Sequence, residues 1–129
     1  MARPNSGRPT DQELEILKVL WERGPSSVRD VWKVIAETRD IGYTSVLKIM
    51  QIMRDKDLLI CDARNRPQIF RTRQSQQATL KHLAGDLLRR AFGGSAKSLL
   101  LHALGNERAT RGELAEIRKL LDEMEGKTK

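Results

Sequence analysis

Three short amphipathic helical segments, a β-hairpin, and then three leucine-rich helical segments predict a mainly α chain with a small β-hairpin. Two observations carry that expectation. Apolar residues recur at helical spacing before residue 58 and after residue 75, and between these stretches an apolar run and an alternating run replace the helical period. Capping residues and glycines stand at the ends of the helical stretches.

Residues 1–9 are rich in Pro, Gly and Ser, carry Arg3 and Arg8, and read as a flexible basic arm. Thr10 and Glu13 form a capping-box pattern, and Leu14, Leu17, Leu20 and Trp21 continue it as a helix that stops at Gly24-Pro25. Ser27 caps a second helix burying Val28, Val31, Trp32 and Ile35, which Asp40-Ile41-Gly42 breaks. A third begins near Tyr43, with Val46, Ile49, Met50 and Met53 on one buried stripe. Leu58 to Cys61 then reads as a strand, Ala63 to Pro67 as a turn, and Gln68 to Thr72 as the returning strand. Three helices followed by a hairpin is the winged-helix order, assigned to residues 10–74.

Residues 75–125 read as a separate three-helix unit, with a tail at 126–129. Leu80, Leu83, Ala84, Leu87, Leu88 and Ala91 lie at helical spacing up to Gly93-Gly94. Ser95 caps a short helix through Leu104, broken at Gly105-Asn106. Thr110 and Glu113 open a last helix with Leu114, Ile117, Leu120, Leu121 and Met124 on one face. These helices are too few and short to enclose their own leucines. A second copy of the chain is the simplest cover, through a two-fold interface using Leu80, Leu83, Leu87, Leu99, Leu100, Leu114, Ile117 and Leu121. Packing on the chain's own first domain is the alternative.

The formal charge of +7 favours a polyanionic partner. That excess is spread along the chain: residues 1–74 hold 14 basic and 10 acidic side chains, residues 75–129 hold 10 and 7. Local clustering is therefore the stronger argument. The third helix offers Tyr43, Thr44, Ser45, Lys48 and Gln51 on its exposed side, a set of hydroxyls, an amide and an amine that suits the major groove. Arg64, Arg66, Arg71 and Arg73 fall within ten residues that contain no Asp or Glu, so the hairpin suits a phosphate backbone, and Arg3 and Arg8 extend this set. A winged-helix DNA-binding domain followed by a helical dimerisation domain is the reading that results. Its rival is a winged-helix protein-protein interaction module without DNA binding.

Catalysis finds no support. His82 and His102 lie on different helical segments without an acidic or cysteine partner at ligand spacing, so no metal is expected. No phosphate-binding glycine loop or nucleophile triad is present, so no cofactor is expected either. The single Cys61 cannot form an internal disulfide and reads as a buried structural thiol, with a redox-sensing thiol as the alternative. No stretch is long and apolar enough for membrane insertion, and the N-terminus lacks the apolar core of a secretory signal, so a cytoplasmic location is expected.

The chain resembles the BlaI/MecI family of penicillinase repressors over about residues 9–125. Pro9-Thr10-Asp11-Gln12-Glu13 through Trp21 resembles the family's opening helix, and Ser27-Val28-Arg29-Asp30-Val31 its second. Gly42-Tyr43-Thr44-Ser45-Val46, with Met50 and Met53, resembles its recognition helix, and residues 92–99 the start of a dimerisation helix. Each motif is weak alone; their order and spacing are specific. The resemblance implies a homodimeric transcriptional repressor on a palindromic double-stranded DNA operator, working with a membrane-bound sensor protease pathway. It also implies a cleavage position in the dimerisation domain, between an Asn and a Phe in well-known members; the corresponding pair here is His102-Ala103. A copper-responsive branch carries a cysteine-rich C-terminal motif, whereas this chain has no cysteine after Cys61. The family's Lys-Gly turn after the recognition helix is Lys56-Asp57 here, and Asp accepts the left-handed conformation better than most residues.

Overall fold

The computed structural model describes residues 8–106 and 109–127. Arg3, and most of the arm assigned to residues 1–9, lie outside the described residues. Among the described residues the elements are α1 (Asp11–Arg23), α2 (Val28–Ala36), α3 (Tyr43–Asp55), β1 (Leu59–Asp62), β2 (Ile69–Thr72), α4 (Gln76–Phe92), α5 (Ala96–Asn106) and α6 (Arg111–Lys127). The architecture is mainly helical with one small hairpin, as the sequence predicts. The chain divides into two units at Leu83 and Ala84, within α4.

The first unit is built around one core. Ile16, Leu17, Val19 and Leu20 enter it from α1, Val28, Val31 and Ile35 from α2, Val46, Met50 and Met53 from α3, and Leu59 and Phe70 from the hairpin. Burying side chains of this size is worth roughly 1.5–3 kcal/mol each, which is what holds three short helices together. Ile49 and Trp32, expected in buried stripes, are only half-buried and pack against the margin of this core.

Local signals set the helix ends. Thr10 Oγ1 accepts the Glu13 N–H at 3.2 Å and Glu13 Oε1 accepts the Thr10 N–H at 2.9 Å, so both halves of the capping box form. Ser27 Oγ accepts the Asp30 N–H at 3.1 Å and starts α2. At the end of α3 the Leu58 N–H reaches Met53 O at 2.8 Å and the Asp57 N–H reaches Arg54 O at 3.0 Å. These two bonds are the Schellman pattern, and they need Asp57 at a φ of 65°.

The hairpin is antiparallel, with Leu59 opposite Thr72 and Cys61 opposite Phe70. The first strand begins at Leu59, one residue later than expected, because Leu58 closes the α3 cap. On its other edge β2 bonds the loop after α1: Ser26 N–H to Phe70 O at 3.0 Å and Phe70 N–H to Ser26 O at 2.8 Å. This single bridge ties the hairpin to the α1–α2 connection, while the fully buried Phe70 side chain enters the core.

In the second unit Gly93 and Gly94, at φ 57° and 86°, end α4. Ser95 Oγ accepts the Ser98 N–H at 3.1 Å and Thr110 Oγ1 accepts the Glu113 N–H at 3.0 Å, capping α5 and α6. α5 includes Gly105 and has Asn106 as its last residue, two residues beyond the expected end at Leu104. One glycine in a last turn costs only about 1 kcal/mol, which the preceding turns can carry. No residue of α6 is buried.

Candidate nucleic-acid interface

The helical period places the candidate reading residues. Val46, Met50 and Met53 are fully buried, so the opposite side of α3 must face outward. Thr44, Ser45, Lys48 and Gln51, related by three and four residues, are all exposed there. Tyr43 opens the same helix and is 38% exposed.

Both ends of α3 are held. At its C-terminal end Lys56 Nζ pairs with the buried Glu13 carboxylate of α1. At its N-terminal end the Tyr43 ring stands edge-on to Trp32, centroids 6.1 Å apart and planes at 89°. Trp32 is itself fixed by its Nε1–H donating to Ile41 O at 2.8 Å. The Arg29 guanidinium carbon lies 5.5 Å from the Tyr43 ring centre.

The four hairpin arginines are exposed, but they are not equivalent. Arg64 Nε donates to Asp62 Oδ1 at 3.2 Å, its Nη2 to Oδ2 at 3.4 Å, and its backbone N–H to Oδ1 at 3.1 Å. These bonds hold the Asp62 carboxyl below the ordinary aspartate value, and the positive charge of Arg71 adds to the effect. The Arg64 guanidinium is pushed the other way, upward, by the same carboxylate. Arg66 Nη1 donates to Ala63 O at 2.7 Å and Asn65 O at 3.1 Å, folding back over the turn. Arg71 lies in β2 and Arg73 directly follows its last residue, Thr72. Arg8 is half-buried and has a partner of its own.

Of the proposed dimerisation residues, Leu80, Leu87, Leu100, Leu114 and Leu121 are exposed, and Leu83, Leu99 and Ile117 are half-buried. Leu101, Leu120 and Met124 are more exposed than any of them, Leu101 at 67%. Lys97, Leu100, Leu101, Leu104 and Gly105 border a largely apolar hollow of about 500 Å³ on α5. His102 and Ala103 are both exposed within α5; His102 Nδ1 lies 2.9 Å from Ser98 O and its ring packs on Phe92 with centroids 5.6 Å apart. Cys61 is a half-buried free thiol.

Three contributors were not singled out from the sequence: Asp62, the Glu13–Lys56 pair and Arg29. Asp62 was detectable, since it stands two residues ahead of Arg64. The pair was not, because 43 residues separate its members.

Residues 9–123 match the family model described as penicillinase repressor. A Mycobacterium tuberculosis protein (strain H37Rv) named transcriptional regulator BlaI is 28% identical over 117 residues, covering 89% of this chain and 83% of that protein. A Bacillus licheniformis protein named penicillinase repressor is 21% identical over 120 residues, covering 93% of this chain and 94% of that one. Among the described residues no helix is long and apolar enough to cross a membrane. With a match that spans both the winged-helix unit and the three helices after it, this chain belongs to the penicillinase repressor family of transcriptional regulators.

Proposed function

We propose that the protein represses transcription as a homodimer that binds a palindromic DNA operator. The observation that carries this reading is the outward face of α3, where Thr44, Ser45, Lys48 and Gln51 are exposed together on a helix anchored at both ends. Short hydroxyls reach bases or phosphates, Gln pairs with adenine, and Lys pairs with guanine or phosphate. Arg71 and Arg73, with Arg64 and Arg66 once released from their own turn, hold the backbone. Tyr43 positions the helix, and Arg3 and Arg8 extend the contact from the arm.

The dimer rests on the leucines of α4, α5 and α6. Large apolar side chains exposed in rows on adjacent helices are rare on a monomer and mark an interface. Two copies then present their α3 helices to half-sites one or two turns of duplex apart, each turn about 34–36 Å. Release by a sensor protease pathway would act on α5, where His102-Ala103 is exposed but helical. A protease needs extended backbone, so cleavage there requires local unwinding.

The test is binding to duplexes from the chain's own upstream region and to scrambled duplexes. Thr44→Ala combined with Ser45→Ala should change the ranking of sequences. A uniform drop in affinity instead would remove them as readers, and a wild-type chain that binds no duplex would leave the protein-interaction module as the function.

A further inference from the structure

We propose that Arg29, in the first turn of α2, contacts a DNA phosphate and is held ready for it by the Tyr43 ring. This rests on the DNA-binding reading above and adds a residue outside the α3 and hairpin sets.

Arg29 is exposed and borders a cleft of about 510 Å³ whose other walls include Ser27, Tyr43, Leu47, Pro67 and Gln68. The cleft therefore lies between the starts of α2 and α3 and the entry of the returning strand. These are the parts that would flank a groove-bound duplex if α3 reads it. Among the described residues no ion pair or hydrogen bond occupies the Arg29 guanidinium; its contact is the Tyr43 ring. Attraction to an aromatic ring leaves the N–H donors of a guanidinium available, and the planar fork of arginine fits a phosphate. Asp30, which also borders the cleft, has its carboxylate 4.0 Å from the Arg23 guanidinium.

The ring matters for the entropy of binding. A free arginine loses rotamer freedom when it clamps a phosphate. Tyr43, braced by Trp32, removes part of that freedom beforehand. Since Tyr43 is also the first residue of α3, a phosphate on Arg29 sets how deeply and at what angle that helix enters the groove. Such a contact positions without reading sequence.

The experiment measures full-chain binding to an upstream duplex and a scrambled duplex across a salt series, with circular dichroism melting to verify the fold. Arg29→Ala should weaken binding to both alike and reduce the slope of log affinity against log salt by about 0.9 per protomer, or about 1.8 per dimer. Arg29→Lys, which keeps the positive charge, should keep the wild-type slope. Weaker binding at an unchanged slope would show that Arg29 only supports Tyr43 and would overturn the proposal. So would a loss confined to one duplex. A wild-type chain that binds neither duplex at any salt would overturn the DNA-binding reading itself, a result separable from the first two.

Discussion

Lys56 Nζ lies 2.8 Å and 2.9 Å from the two carboxylate oxygens of Glu13, and one of those oxygens also accepts the Thr10 N–H. A single carboxylate thus caps α1 and ties down the end of α3. Glu13 is 4% exposed, so its charge needs the lysine.

Lys56→Met should therefore cost about 2–4 kcal/mol in urea unfolding, toward the lower end because the lysine side chain keeps some contact with water. Adding Glu13→Gln should recover part of that loss, since Gln preserves the capping box without leaving a buried charge. A double variant less stable than Lys56→Met would contradict the pairing.

Asp57 occupies the left-handed region at a φ of 65°, where a side chain is strained. Asp57→Gly should raise stability by about 0.5–1 kcal/mol, and Asp57→Val should lower it by more than that, because a β-branched residue resists this conformation. Thermal melts of the two variants check the sign of each.

Asp62 carries a carboxyl held below its ordinary value by Arg64, so its contribution to hairpin order has a defined pH direction. It is fully present above the unfolded aspartate value of about 4 and is lost as pH falls through the lower folded value. Exchange protection of the Arg64 N–H should follow that loss, and Asp62→Ala, which removes the acceptor, should abolish it at neutral pH. The same variant should bind any duplex more tightly, because phosphate no longer competes with a carboxylate for Arg64. Unchanged affinity would mean that Arg64 never meets the backbone.

Leu101 is the most exposed large apolar residue described and lies next to Leu100 on α5. Leu100→Asp or Leu101→Asp should shift sedimentation toward the monomer and weaken operator binding about 100-fold or more, since two tethered half-site contacts gain about 10²–10⁴ over one. A chain that sediments as a monomer without either substitution would remove the dimer.

Much of this protein was legible as sequence because its signals are local. Thr10 and Glu13, Ser27, Thr110 and the glycines after Phe92 act within a few residues, and the stripe of Val46, Met50 and Met53 tells which side of α3 faces out. The exposed polar face of α3, the hairpin and the leucine rows follow from those patterns. The tertiary structure alone decided which distant groups meet. The Glu13–Lys56 pair, the Ser26–Phe70 bridge and Arg29 over Tyr43 join residues far apart in the chain. Periodicity assigns a side chain to a face of its own helix, but the partner it meets depends on how helices cross, and that is set by packing of the whole core. Arg64 and Arg66 show the same limit at short range: the sequence supplies their charge, and only the folded turn reveals which atoms already hold it.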